Sequence, residues 1–143
     1  MPDSPSPSPF AIVAGFGIPG REVANLLKAR NIPFVVVELN PETVRRTAKA
    51  GLNILHGDAA EDAVLVEAGI ARATLLALAI PDDAAVLRAI DAARRLNPAT
   101  RIIARCRRVS TALEATRRGA HDVVSEEQII GAEFARLTGP LIG

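Results

Sequence analysis

Along this chain, short runs in which nearly every side chain is apolar alternate with longer stretches whose apolar positions recur every three or four residues. The runs are FAIVAG at 10–15, PFVVVEL at 33–39, LNILHG at 52–57, ATLLALAI at 73–80, RIIAR at 101–105 and DVV at 122–124. A continuous apolar run of this length is what a strand needs when helices cover both of its faces. Between the first two runs, Val23, Leu26 and Leu27 form one stripe while Arg21, Glu22, Lys28 and Arg30 take the other side. That spacing predicts an amphipathic helix.

The remaining helices carry their own punctuation. Asn40-Pro41-Glu42 supplies an N-cap, a proline already set for the first helical position, and an acid in the first turn. EDAVLVEAG at 61–69 is a short helix closed by Gly69, and Asp82-Asp83 opens a helix that runs to Leu96. Asn97-Pro98 ends it, because the residue before proline resists the α region. Val109 to Arg118 is the next helix with Gly119 as its stop, and Glu126 to Leu141 the last. Strand and helix alternate throughout on short connections, without a short fixed-period repeat. The pattern predicts an α/β fold: a Rossmann-like, doubly wound parallel sheet of about six strands with helices on both faces.

Composition narrows what such a domain does. The 143 residues are 49% hydrophobic with a formal net charge of +1, enough to build a core and too balanced for a nucleic-acid surface. Four Phe, with no Trp or Tyr, offer no base-stacking platform. The single cysteine, Cys106, excludes an internal disulfide and suits a reducing compartment. The longest apolar run, at 73–81, falls far short of the roughly 20 residues that cross a bilayer. Residues 1–9 alternate Ser and Pro and read as a disordered tail or linker without the features of a signal peptide, leaving 10–143 as the folded domain. The expectation is a soluble, intracellular domain.

Candidate chemistry sits at the end of the first strand. Gly15, Gly17 and Gly20 stand at GxGxxG spacing between a strand and a helix, and an acid, Glu38, ends the second strand. In that context Gly15 allows the tight turn, Gly17 lets a phosphate approach the backbone, and Gly20 lets the helix pack on the strand. The helix N-terminus then faces the anion with free N–H groups. The plainer reading is a tight strand-to-helix turn and nothing more. Pro19 fits the first helical turn, where its missing N–H is not needed. Ile18 adds no charge, so positive charge must come from elsewhere. Glu38 is placed to accept from ribose hydroxyls and would repel a 2′-phosphate, which favours NAD(H), AMP, ADP or ATP over NADP(H). Alternatively it is a solvated strand-end acid.

Other residues stay open between two roles. Asp58 accepts from an adenine amino group or caps the helix that follows. Arg105, at the carboxyl edge of the fifth strand, supplies the missing positive charge or is a surface arginine. His56 has no second ligand at metal spacing and reads as structural, and Cys106 as a small packed side chain. In the last helix Ile130, Phe134, Leu137 and Leu141 fall at heptad-like spacing beside Ile129. They either fold back on the sheet or form a dimer seam or docking face, the latter being favoured.

With GFGIPG, VVVELNPETV, GDAAEDAVLVEAGI, TLLALAIPDD and NPATRIIAR in hand, the chain resembles the RCK, or TrkA-N, family of potassium channel and transporter regulators. The strings ELNPETVRR, GDA and EAGI are most similar to the cytosolic domains of Kef-type cation:proton antiporters, and the likeness covers about residues 10–138. The resemblance implies a regulatory module that is not an enzyme. It would bind NAD(H) or AMP/ADP/ATP and lie at the inner face of the membrane through a channel or antiporter partner. The pore would come from another chain or from residues outside this sequence. The resemblance also implies a homodimer through the final helices. The implied cofactor site takes Gly15, Phe16, Gly17, Ile18, Pro19 and Gly20 from the first loop, with Glu38 and Leu39. Asp58, Ala59, Ala79 and Arg105 complete it from the ends of later strands. The chain departs from many members at Ile18, where they carry Arg. The alternative function is a small NAD-dependent oxidoreductase, which needs a catalytic acid or base that the sequence does not display.

Overall fold

The computed structural model describes residues 7–143. Most of the expected Ser/Pro tail, residues 1–6, lies outside the described residues, and Pro7 to Pro9 are exposed without regular structure. From there the chain alternates as its pattern predicts. The strands are β1 (Ala11–Ala14), β2 (Phe34–Glu38), β3 (Ile54–His56), β4 (Leu75–Leu78), β5 (Arg101–Cys106) and β6 (Asp122–Ser125). The helices are α1 (Ile18–Ala29), α2 (Pro41–Lys49), α3 (Asp62–Ala68), α4 (Asp83–Leu96), α5 (Val109–Arg118) and α6 (Glu126–Ile142). One 3-10 turn, Ile70–Arg72, follows α3 where the sequence suggests only a helix stop.

The caps explain why these boundaries fall where they do. Asn40 Oδ1 accepts the N–H groups of Glu42 and Thr43 at 2.9 and 3.4 Å, and Asp82 Oδ1 that of Ala85 at 2.9 Å. Gly69 and Gly119 end α3 and α5 in the left-handed region, at φ +96° and +116°, where a Cβ would be strained.

All strand pairs are parallel, in the order β3-β2-β1-β4-β5-β6. Strand order therefore reverses between β1 and β4, the switch point outside which such sheets hold ligands. The register alternates side chains between two faces. Ile12, Ala14, Val35, Leu76, Leu78, Ile102 and Ala104 pack with α3, α4 and α5 into the larger core cluster. Ala11, Val13 and Val36 pack with Leu27 of α1 into a smaller one. The two clusters make the doubly wound arrangement that the sequence predicts.

On the α1 face, the β4–β5–β6 half of the sheet carries less cover. A 390 Å³ apolar groove lies there, lined by Val23, Ala77, Ile103, Val124, Ile129 and Ile130 among others. α6 runs from the end of β6 without a single buried residue. It does not fold back on its own sheet. No helix among the described residues is long and apolar enough to cross a membrane.

Candidate functional site

A cleft of 850 Å³ opens at the carboxyl ends of the central strands. Gly15, Phe16 and Gly17 line it from the β1–α1 loop, Glu38 and Leu39 from β2, and Asp58 and Ala59 from the loop after β3. Ala79 and Arg105 reach it from beyond β4 and from β5. Nine of the twelve expected residues thus share one cavity, although they come from five separate strand ends.

The remaining three, Ile18, Pro19 and Gly20, do not line it. Ile18 is 80% exposed at the start of α1, and Pro19 faces the apolar groove. Gly20 is buried under the turn, where an added Cβ would stand 1.9 Å from the Gly15 carbonyl oxygen. Gly15 itself has φ +92°, and a Cβ there would come within 2.7 Å of the Ala79 oxygen. At Gly17 an added Cβ would meet no protein atom within 4 Å. Two of the glycines therefore hold the turn together, and the third leaves room in the cleft.

Glu38 organises the loop. Its Oε1 accepts the Phe16 N–H at 3.0 Å, and its Oε2 accepts the Asn40 N–H at 2.9 Å. One carboxylate thereby joins the glycine loop to the start of α2. Each oxygen keeps a second lone-pair direction for a further donor.

Asp58 does not cap α3; Glu61 is the N-cap, and Asp58 Oδ1 accepts the Ala60 N–H at 2.9 Å in a turn of its own. His56 Nε2 lies 3.0 Å from the Leu39 carbonyl oxygen and fixes the loop behind Glu38. Arg105 is partly buried, and its Nε donates to Glu126 Oε1 at 2.7 Å. Cys106, fully buried, has its thiol pushed up to about 11 by burial and by the Asp83 charge.

The cleft holds residues that sequence reasoning missed. Arg21, expected on the water side of α1, lines the cleft; its Nε donates to the Phe16 carbonyl at 3.2 Å, and its guanidinium lies 5.4 Å from the Phe16 ring centre. Arg88 lines it from α4, Asn40 and Thr43 from α2, and Asp82 from the helix start after β4. Their signal was position: Asn40 and Asp82 each lie just past the carboxyl end of a strand, the edge that holds ligands. Arginines at 21, 88 and 105, with carboxylates at 38, 58 and 82, suit a ligand that is anionic at one end and rich in hydroxyls at the other. The described residues contain no cluster of three His, Cys, Asp or Glu side chains that would hold a metal.

Among curated proteins, the chain is 36% identical over 101 residues to the glutathione-regulated potassium-efflux system protein KefC of Cronobacter sakazakii. That match covers 71% of this chain and 16% of the relative, so the chain spans a small part of its length. Among solved structures, the TrkA-N domain of the inner membrane protein ybaL of Escherichia coli superposes with a TM-score of 0.83 at 29% identity, covering 91% of this chain and 96% of that one. The Shewanella denitrificans Kef CTD, in its AMP-bound form, superposes with a TM-score of 0.80 at 25% identity, covering 94% and 81%. The family model described as the TrkA-N domain matches residues 11–126, and on that match the chain belongs to the TrkA-N family.

Proposed function

We propose that residues 10–143 form a regulatory domain that binds an adenine nucleotide, NAD(H) or AMP/ADP/ATP, and controls a potassium channel or a K⁺/H⁺ antiporter. The observation that carries this reading is one cleft at the β1–β4 switch point, lined by both the open Gly17 and the Glu38 carboxylate. The open backbone at Gly17, just before α1, suits a phosphate, and the Glu38 oxygens suit ribose hydroxyls. Asp58 suits the adenine amino group. A 2′-phosphate beside Glu38 would meet a like charge, so NADP(H) is the poorer ligand. The AMP-bound form of the related Kef domain supports the same ligand class.

The domain acts by binding, not by turnover. Its second copy docks through α6, whose Ile130, Phe134, Leu137 and Leu141 are all more than half exposed. Nucleotide binding changes the geometry of that dimer, and the dimer passes the change to a transporter or channel at the inner face of the membrane. A ligand does this only through different affinities for the two arrangements.

A thermal-shift panel with NAD⁺, NADH, NADP⁺, AMP, ADP and ATP tests the reading. A ligand at a hundred times its Kd adds about 2.7 kcal/mol of stability. The expected result is a shift with adenine nucleotides that is weaker with NADP⁺ and is lost in Glu38→Ala. No shift with any of them, or sustained NADH oxidation with a carbonyl substrate, would overturn it.

A further inference from the structure

Ala79 and Arg105 line both the nucleotide cleft and the apolar groove beside α6, and of the two only Arg105 carries a charge. Its guanidinium is already occupied: Nε lies 2.7 Å and Nη2 2.5 Å from Glu126 Oε1, and Nη1 donates to the Ala79 carbonyl at 3.4 Å. The other Glu126 oxygen lies 3.9 Å from Arg107 Nε. The two paired side chains are 25% and 31% exposed, so their attraction is less screened by water than a surface pair would be. Glu126 is the first residue of α6. Among the ion pairs of the described residues, those of Glu126 are the ones that join α6 to the rest of the fold, beside a backbone bond from the Glu127 N–H to the Arg107 carbonyl at 3.2 Å.

Resting on the nucleotide-binding reading, we propose that Glu126 is an internal competitor for the ligand's phosphate. With the cleft empty, Glu126 neutralises Arg105. A nucleotide phosphate draws the guanidinium away, and Glu126 loses its stronger partner. Occupancy of the cleft is thereby felt at the base of α6, the helix that offers the exposed stripe. Ile18 brings no charge to the glycine loop, and of the cleft's arginines at 21, 88 and 105 it is Arg105 that is ion-paired to α6, so for that side chain phosphate binding and helix anchoring are exclusive. Glu126 is a positioning residue here, since it acts on the ligand only through Arg105.

The test is titration calorimetry of the full chain with AMP, ADP and adenosine, which has no phosphate. Glu126→Gln should tighten AMP and ADP by about five-fold, the range of a partly exposed ion pair, and leave adenosine unchanged. Glu126→Asp, which keeps the charge at the helix start but shortens the reach to Arg105, should tighten them too. In an Arg105→Ala background the gain should vanish. Amide hydrogen exchange over residues 126–132 should speed up on adding AMP to the wild type, and should already be fast in Glu126→Gln without ligand. Unchanged or weaker AMP binding in both Glu126 variants would overturn the proposal, as would a gain that survives Arg105→Ala or exchange at α6 that ignores AMP. If the wild type binds none of the three, the nucleotide reading itself falls. If it binds AMP while the variants behave as wild type, the competition alone falls.

Discussion

Gly15, Gly17 and Gly20 show how one motif divides its work residue by residue. A methyl group at Gly20 would lie 1.9 Å from a backbone oxygen, where no side-chain adjustment relieves it, whereas one at Gly17 meets nothing. Gly20→Ala should therefore cost at least 2 kcal/mol, roughly, and lower the melting temperature by several degrees. Gly17→Ala should melt within a degree or so of wild type but bind AMP about ten-fold more weakly, because the methyl occupies ligand space. Equal loss of stability in both would refute this division. The spacing was legible in sequence, and so was the acid at the end of β2. What sequence could not supply was direction: Ile18, Pro19 and Gly20 turn away from the cleft with the first turn of α1, while Arg21 comes back to it beneath Phe16. Nor could it supply the partner of Arg105, which lies 21 residues on, across a strand pair. Cys106 gives a second residue-level expectation. Its thiol, normally near 9.0, is pushed up to about 11 by burial and by Asp83. Burial favours the protonated form, so the unfolded chain ionises first as pH rises. Stability from this group is complete below pH 9 and is lost as pH climbs towards about 11. Urea melts of wild type and Cys106→Ala between pH 8 and 11 should show a steeper alkaline decline in the wild type; parallel curves would disprove it.

Elements were the most readable level, because a buried parallel strand and an amphipathic helix differ in period. α2, α3, α4 and α5 begin or end within a residue or two of their predicted limits, held by Asn40, Gly69, Asp82 and Gly119 respectively, whose cap chemistry is local. α6 is the element whose sequence asks for a partner. A helix with an apolar stripe is stable when that stripe is buried, and none of its residues is buried here. Phe134, 69% exposed, sits near the middle of the stripe. Burying such a side chain is worth about 1.5–3 kcal/mol per copy, and a symmetric seam counts it twice. Phe134→Asp should weaken dimerisation by at least a hundred-fold, roughly, and leave the melting temperature of the monomer unchanged, as light scattering across a dilution series would show. A variant that still elutes as a dimer at the lowest concentration would remove α6 from the interface.

At the scale of the molecule, the two faces of the sheet are unequally finished. α3, α4 and α5 close one face, while the β4–β5–β6 half of the other keeps an apolar groove bordered by Ile129 and Ile130. The groove also touches Pro19 and Val23 of α1, and Arg105, which lines the cleft proposed for the nucleotide. A second copy seated on this face would therefore rest on residues that also line the cleft. Coupling between the two follows from thermodynamics: if nucleotide changes the dimer's dissociation constant by some factor, dimerisation must change nucleotide affinity by that same factor. Both sides are measurable on one protein. Sedimentation of the wild type with and without saturating AMP gives the first factor. Calorimetry of AMP binding to the wild-type dimer and to the Phe134→Asp monomer gives the second. We expect the factors to agree and to lie between about five- and a hundred-fold, the usual range for coupled sites. A dimer constant indifferent to AMP, together with equal affinities for monomer and dimer, would mean that the cleft and the α6 seam work independently, and regulation would have to leave the domain by another surface.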